Sequence, residues 1–147
     1  MSQTNELEIM ERIALDLEGV EESLASSFNT GAEDFNALIR PLSAAGGKRL
    51  RAQLCLLIAN AGTSVERQRI RIAEAVEMLH LATLIHDDVL DQAEIRRGEE
   101  TIHMHKGNKV AILSGDYLFA KAFQIVSEMP NMKYLQIFSH IITCLVE

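Results

Sequence analysis

From Leu7 onward the apolar residues Leu7, Met10, Ile13, Leu17, Val20 and Leu24 recur at steps of three and four. That spacing predicts an amphipathic helix with one inward stripe. Gly31 separates it from a short second helix over 34–39, after which Pro41 and the pair Gly46-Gly47 interrupt the pattern. An apolar stretch from Leu50 to Ala61 ends at Gly62, and Ser64 stands where it can cap the next element. From Val65 to Ile95 there is neither Gly nor Pro, and Ile70, Ala73, Val76, Leu79 and Leu84 sustain a helical pattern of about eight turns. A helix this long is expected at the centre of its fold.

Residues 96–108 are charged and punctuated by glycine; a second apolar helix follows from Lys109 to Met129 and stops at Pro130. A third runs from there towards Glu147 and is apolar on nearly every side, so it calls for packing partners. No strand alternation, internal repeat or low-complexity segment interrupts this pattern. The expected fold is therefore all-α, with antiparallel helices around a central cavity and no sheet.

Composition narrows the classes of function. With 147 residues, 48% of them apolar, the chain has enough core for one domain or part of one. Its 14 basic and 21 acidic side chains leave a net charge of -7, which argues against binding nucleic acid through phosphate neutralisation. Seven of those acids, Glu6, Glu8, Glu11, Asp16, Glu18, Glu21 and Glu22, stand against Arg12 alone, as on a solvated helix face. Cys55 and Cys144 sit in apolar runs and are expected as small buried hydrophobes in a reducing compartment. The acidic N-terminus lacks a signal-peptide pattern, and no apolar run is expected to reach the roughly 18 residues of a membrane span. A cytoplasmic protein without a transmembrane segment is the expectation.

The strongest chemical signal is Asp87-Asp88-Val89-Leu90-Asp91, inside the long helix. Asp87 and Asp91 are one turn apart and repel each other unless a cation lies between them. Magnesium takes one or two carboxylates and completes its octahedron with water and phosphate oxygens. An isolated D-D-x-x-D is equally compatible with a solvated acidic patch. On an ideal helix, however, His80, Leu84, Asp87 and Asp91 share one face, which favours a ligand contact for His80 over a core role. Two basic clusters offer anion sites. Gly46-Gly47-Lys48-Arg49-Leu50-Arg51 sets a loop just before a helix N-terminus, and Arg96-Arg97-Gly98 follows the aspartates. Either cluster alone is an ordinary solvated surface. Together with the aspartates they suit a magnesium diphosphate.

GGKRLR, then Glu77-x-x-His80, then HDDVLD at 86–91, then RRG at 96–98 and GNKVAILSGDYLFAKAF at 107–123 resemble, in order, the trans-polyprenyl (isoprenyl) diphosphate synthase family. The resemblance covers essentially the whole chain as the N-terminal part, 1–147, of a single synthase domain. It implies that Lys48, Arg51, His80 and Arg97 hold the diphosphate of isopentenyl diphosphate. Arg96 would hold the allylic prenyl diphosphate, Asp87 and Asp91 would bind magnesium bridging to it, and Asp88 would support the cluster. The implied reaction ionises the allylic C–O bond, joins the cation to isopentenyl diphosphate and loses a proton. A homodimer is implied as well.

Ala52 stands where the family's loop motif usually has proline, and nothing after Asp91 resembles the family's second aspartate-rich motif. The readings that follow are a fragment of a complete synthase, half of a split enzyme, or a non-catalytic binding or regulatory subunit. The small Ala82 and Thr83, just before the aspartates, occupy the positions that limit product length in the family. They imply a medium- to long-chain product.

Overall fold

The computed structural model describes residues 3–29, 33–44, 47–62 and 65–146. Its helices are α1 (Gln3–Ser27), α2 (Glu33–Ala44), α3 (Leu50–Asn60), α4 (Glu66–Leu90), α5 (Ile102–Lys106), α6 (Asn108–Ser127) and α7 (Lys133–Val146). Between α4 and α5, β1 (Ile95–Arg96) and β2 (Glu99–Glu100) form the one sheet among the described residues. The expectations placed on Gly31, Gly46 and Ser64 lie outside the described residues. Val65, whose side chain offers no acceptor, is the N-cap residue of α4.

α4 is the centre of the fold, packed most extensively on α6 and also on α3 and α1. Ala73, Ala75, Met78, Leu79, Ala82 and Ile85 are buried around its circumference. The helix also buries Arg69, Glu74, Glu77 and Asp88, and each is partnered, because an unpaired buried ion costs several kcal/mol. Arg69 Nε and Nη2 donate to Asp16 at 2.9 and 3.1 Å, and Asn60 donates to the same carboxylate at 3.0 Å. Glu74, fully buried, accepts from Ser23, Ser27 and Arg71 at 2.6–2.7 Å.

Several expectations change. Asp16 does not belong to a solvated acidic face; it is 4% exposed and ties α1 to α4. Pro41 does not break α2, which continues through it to Ala44 with one backbone N–H fewer in its ladder. α4 stops at Leu90 and not near Ile95, and Asp91 is its C-cap residue. The chain then turns through Gln92, at φ 52, into a hairpin that two-residue strands made invisible as alternation. Its register, Ile95 with Glu100 and Arg96 with Glu99, leaves Arg97 and Gly98 as a two-residue loop. Both have positive φ, 54 and 87, as a type I′ turn requires.

α6, at 20 residues, has the length and apolar composition to cross a membrane, which the sequence reading did not anticipate. Ala111, Ser114, Leu118, Ala122 and Ile125 are nevertheless buried, and the helix packs on α4 as a core helix does. Cys144 is exposed on α7 rather than buried. Cys55 is half-buried, and burial pushes its thiol pKa up.

Candidate functional site

Three segments meet beside the exposed face of α4: the 47–49 loop, the start of α3, and the hairpin. Gly47 lies directly against the Arg97 guanidinium, since a Cβ added at Gly47 would stand 3.5 Å from Nη2. Arg51, in the first turn of α3, donates Nη1–H to Nε2 of His80 at 3.1 Å. Burial lowers the His80 pKa below the usual 6.5, and Arg51, Arg97 and Arg96 lower it further against the opposing Glu77 carboxylate. One imidazole therefore feels three guanidinium groups drawn from α3 and the hairpin.

The loop that carries Lys48 is held from below. Arg49 adopts a left-handed conformation, φ 46 and ψ 37, which costs a non-glycine residue about 1–2 kcal/mol. Its guanidinium binds Glu21 at 2.6 and 3.1 Å and Glu77 at 3.5 Å. Burial works against the Arg49 charge, but Glu21 and Glu77 together outweigh it and raise the pKa above the ordinary arginine value. Glu77 also accepts from the Ala52 backbone N–H at 3.0 Å, and Gln53 donates to the Lys48 carbonyl at 2.6 Å. Lys48 itself is exposed, and its ammonium has no protein partner among the described residues. Arg49, Glu21 and Glu77 are residues that motif reading did not assign. The only sequence signal was Glu77, acidic and three residues before His80 in a helix with little exposed surface.

The aspartates divide by role. Asp87 and Asp91 are exposed, one turn apart, with the Asp91 N–H bonded to the Asp87 carbonyl at 2.8 Å. Neither carboxylate has a protein partner among the described residues. Asp88 is 5% exposed and accepts from Arg96 Nε at 2.6 Å. It fixes the hairpin to the helix end. No cluster of three His, Cys, Asp or Glu side chains converges on a metal position among the described residues. Two free carboxylates suit magnesium, which needs only one or two when phosphate oxygens and water complete the shell.

Next to these groups lies a cleft of about 810 Å³. Its lining includes the apolar Leu81, Leu84 and Ile85 of α4 and Ala37 and Leu38 of α2, together with the charged Asp88, Arg96 and Arg97. Ala82 and Thr83 are not among its lining residues. Ala82 is fully buried, and Thr83 is half-buried with its hydroxyl donating to the His80 carbonyl at 2.8 Å. Asp116, isolated in sequence, stands 3.5 Å from His86 on the neighbouring helix.

The chain matches the family model described as polyprenyl synthetase over residues 32–147. It belongs to that family. It is 32% identical over 139 residues to the octaprenyl diphosphate synthase of Escherichia coli, covering 95% of this chain and 43% of that one. It is 34% identical over 140 residues to solanesyl diphosphate synthase 1, chloroplastic, of Arabidopsis thaliana, covering 91% and 34%. Among solved structures, a polyprenyl synthase from Caulobacter crescentus complexed with calcium and isoprenyl diphosphate matches with a TM-score of 0.82 and 36% identity, over 88% of this chain and 41% of that one. A decaprenyl diphosphate synthase from Rhodobacter capsulatus matches with a TM-score of 0.81 and 32% identity, over 90% and 41%. The chain thus spans about a third to under a half of the length of the relatives it matches.

Proposed function

We propose that this chain forms the part of a magnesium-dependent trans-prenyltransferase that grips both diphosphates and makes a medium- to long-chain polyprenyl diphosphate. The observation that carries the reading is the division of labour around one helix end. Arg51, His80 and Arg97 converge at one level of α4, and the partner-free Asp87 and Asp91 lie on the same helix face two to three turns further on, with Asp88 and Arg96 fixing the hairpin beside them. Arg51, Lys48 and Arg97 would bind the isopentenyl diphosphate group as fixed charges. Arg96, steered by Asp88, would face the allylic diphosphate. Asp87 and Asp91 would hold magnesium, which when bound offsets the charge that grows on the departing diphosphate. Leu81, Leu84, Ile85, Ala37 and Leu38 offer the lengthening chain a dry wall, which also keeps water from the reacting carbon.

The relative crystallised with calcium and isoprenyl diphosphate supports this choice of ligands. Exposed Ile112 and Leu113 on α6 and Ile137, Ile141 and Leu145 on α7 support a homodimer, to be tested by sedimentation equilibrium. Two free thiols favour a reducing, cytoplasmic setting. The chain alone is expected to bind these ligands without turnover, because it carries one of the two aspartate-rich motifs that the family resemblance implies for the reaction.

Calorimetric titration with isopentenyl diphosphate, with and without magnesium, tests the reading. Binding that is lost in Lys48→Ala and Arg51→Ala supports it. No binding to the wild-type chain, or binding indifferent to both substitutions, sinks it.

A further inference from the structure

The contact between His86 and α6 is not used by the reading above, yet it lies next to the aspartates. His86 precedes Asp87 directly, and its Nε2 is 3.1 Å from the Ile112 carbonyl oxygen of α6. A carbonyl can only accept, so Nε2 must carry the hydrogen and donate it. Asp116 Oδ1 lies 3.5 Å from the same nitrogen, and the ring stacks at a tilt on Phe119, with centroids 5.5 Å apart. Three successive turns of α6 thus grip one imidazole.

The grip depends on Gly115. A Cβ added there would overlap the His86 ring, meeting Cδ2 at 2.5 Å. Glycine in a helix interior costs about 1 kcal/mol relative to alanine, so it needs a packing reason. Here the missing side chain is the space the imidazole fills. The segment around Gly115 and Asp116 thereby acquires a purpose that neither residue shows alone.

α4 ends four residues after His86, at Leu90. The last turn of any helix frays unless tied, and both Asp87 and Asp91 are exposed and without protein partners. Asp88 ties this turn to the hairpin through Arg96. His86 ties it on another side to α6, so that turn is anchored at His86 and Asp88, on either side of Asp87, while Asp87 and Asp91 stay outward.

We infer that His86, seated in the notch at Gly115 and bonded to the Ile112 carbonyl, is a positioning residue that sets the aim of the Asp87 and Asp91 carboxylates. This rests on the metal role proposed for those aspartates. The imidazole neither touches metal nor substrate; it acts by fixing the turn that carries them.

The test uses the whole chain and manganese ion as the probe, followed by the broadening of the Asp87–Asp91 amide signals in nuclear magnetic resonance. His86→Ala and Gly115→Ala are both expected to weaken manganese binding about tenfold, the low end for groups that orient metal ligands. His86→Gln, which keeps a side-chain N–H for Ile112, should restore most of the loss. Faster amide exchange confined to 87–91 in His86→Ala should accompany it. Unchanged manganese affinity in a folded His86→Ala chain, even with a lower melting temperature, would overturn the inference and make His86 a packing residue. If His86→Ala does not fold, His86→Gln decides: near-wild-type affinity supports the role, and a tenfold loss contradicts it. Absence of manganese binding by the wild type would instead count against the metal reading itself. The exchange at 87–91 would then decide the clasp alone.

Discussion

Arg51 Nη1 and His80 Nε2 lie 3.1 Å apart, and the guanidinium can only donate. The imidazole nitrogen therefore accepts with its lone pair, and His80 is neutral in the folded chain. Its burial, and then Arg51, push the pKa in the same direction, below 6.5. A histidine whose folded pKa is depressed keeps its full contribution above the unfolded value of about 6.5, and loses it as pH falls towards the folded value. The melting temperature should accordingly drop between pH 7.5 and pH 5.5. His80→Gln should drop less over the same interval; an equal drop would mean that other groups set the acid sensitivity.

Glu77 binds both the Ala52 N–H and the Arg49 guanidinium, at 3.0 and 3.5 Å. Replacing it by alanine leaves a buried N–H unpaired and removes one of the two carboxylates that hold Arg49 in its left-handed turn. The expected cost is about 1–3 kcal/mol in chemical denaturation, typical of an orphaned buried donor. Isopentenyl diphosphate affinity should fall as well, because Lys48 and Arg51 flank that turn. A destabilised variant with unchanged affinity would show that the loop keeps its shape without Glu77.

The order of helices was legible because three-and-four spacing survives in α1 and α6, where one face meets the core. It failed at the end of α4, where Asp91, Gln92 and Ala93 carry no glycine or proline; the stop comes from Gln92 turning to positive φ. The hairpin was hidden because a ladder of two residues per strand has no period to detect. At the candidate site, Asp87, His80 and Arg51 were singled out from residue type and spacing. Arg49, Glu77 and His86 were not, because the partners that give them their roles stand 25 to 33 residues away in sequence, and only the fold brings them together. Asp16 was misjudged for the same reason: its partner Arg69 lies on another helix.

That misjudged residue gives a test of the core. Asp16→Ala leaves the Arg69 guanidinium, 9% exposed, without its carboxylate. Breaking one side of a buried pair costs about 3–5 kcal/mol, far more than an exposed pair contributes. Urea denaturation should show that loss, and a change under 1 kcal/mol would mean that water replaces the partner.

Ala82 and Thr83 respond to bulk in different ways. Ala82 is fully buried, so Ala82→Phe forces a large ring into a filled core, where overpacking costs about 1–3 kcal/mol or more. Thr83 is half-buried, and Thr83→Phe should fold with little loss. In a complete synthase carrying this segment, Thr83→Phe should shorten the products, as should Leu84→Phe from within the cleft. Chromatography of the products checks both; a change confined to Leu84→Phe would put the length limit on the cleft side of α4.

The three aspartates differ in what each carboxylate holds. Asp88 is buried and accepts from Arg96 at 2.6 Å, so Asp88→Asn converts a charge-assisted bond into a neutral one and should lower the melting temperature. Asp87→Asn and Asp91→Asn remove exposed carboxylates that have no protein partner, and they relieve the repulsion between two like charges one turn apart. Both should leave stability unchanged or slightly raised, within about 0.5 kcal/mol. Magnesium reverses the ranking. Saturating metal with inorganic diphosphate should raise the melting temperature of the wild type, because a ligand stabilises the state that binds it. The gain should vanish in Asp87→Asn and Asp91→Asn and persist, from a lower starting point, in Asp88→Asn. Thermal shift curves with and without metal, recorded for all three variants, read this directly. If Asp91→Asn kept the full gain, the metal would have to be held without Asp91, and the pairing of Asp87 with Asp91 across one helical turn would not be its site.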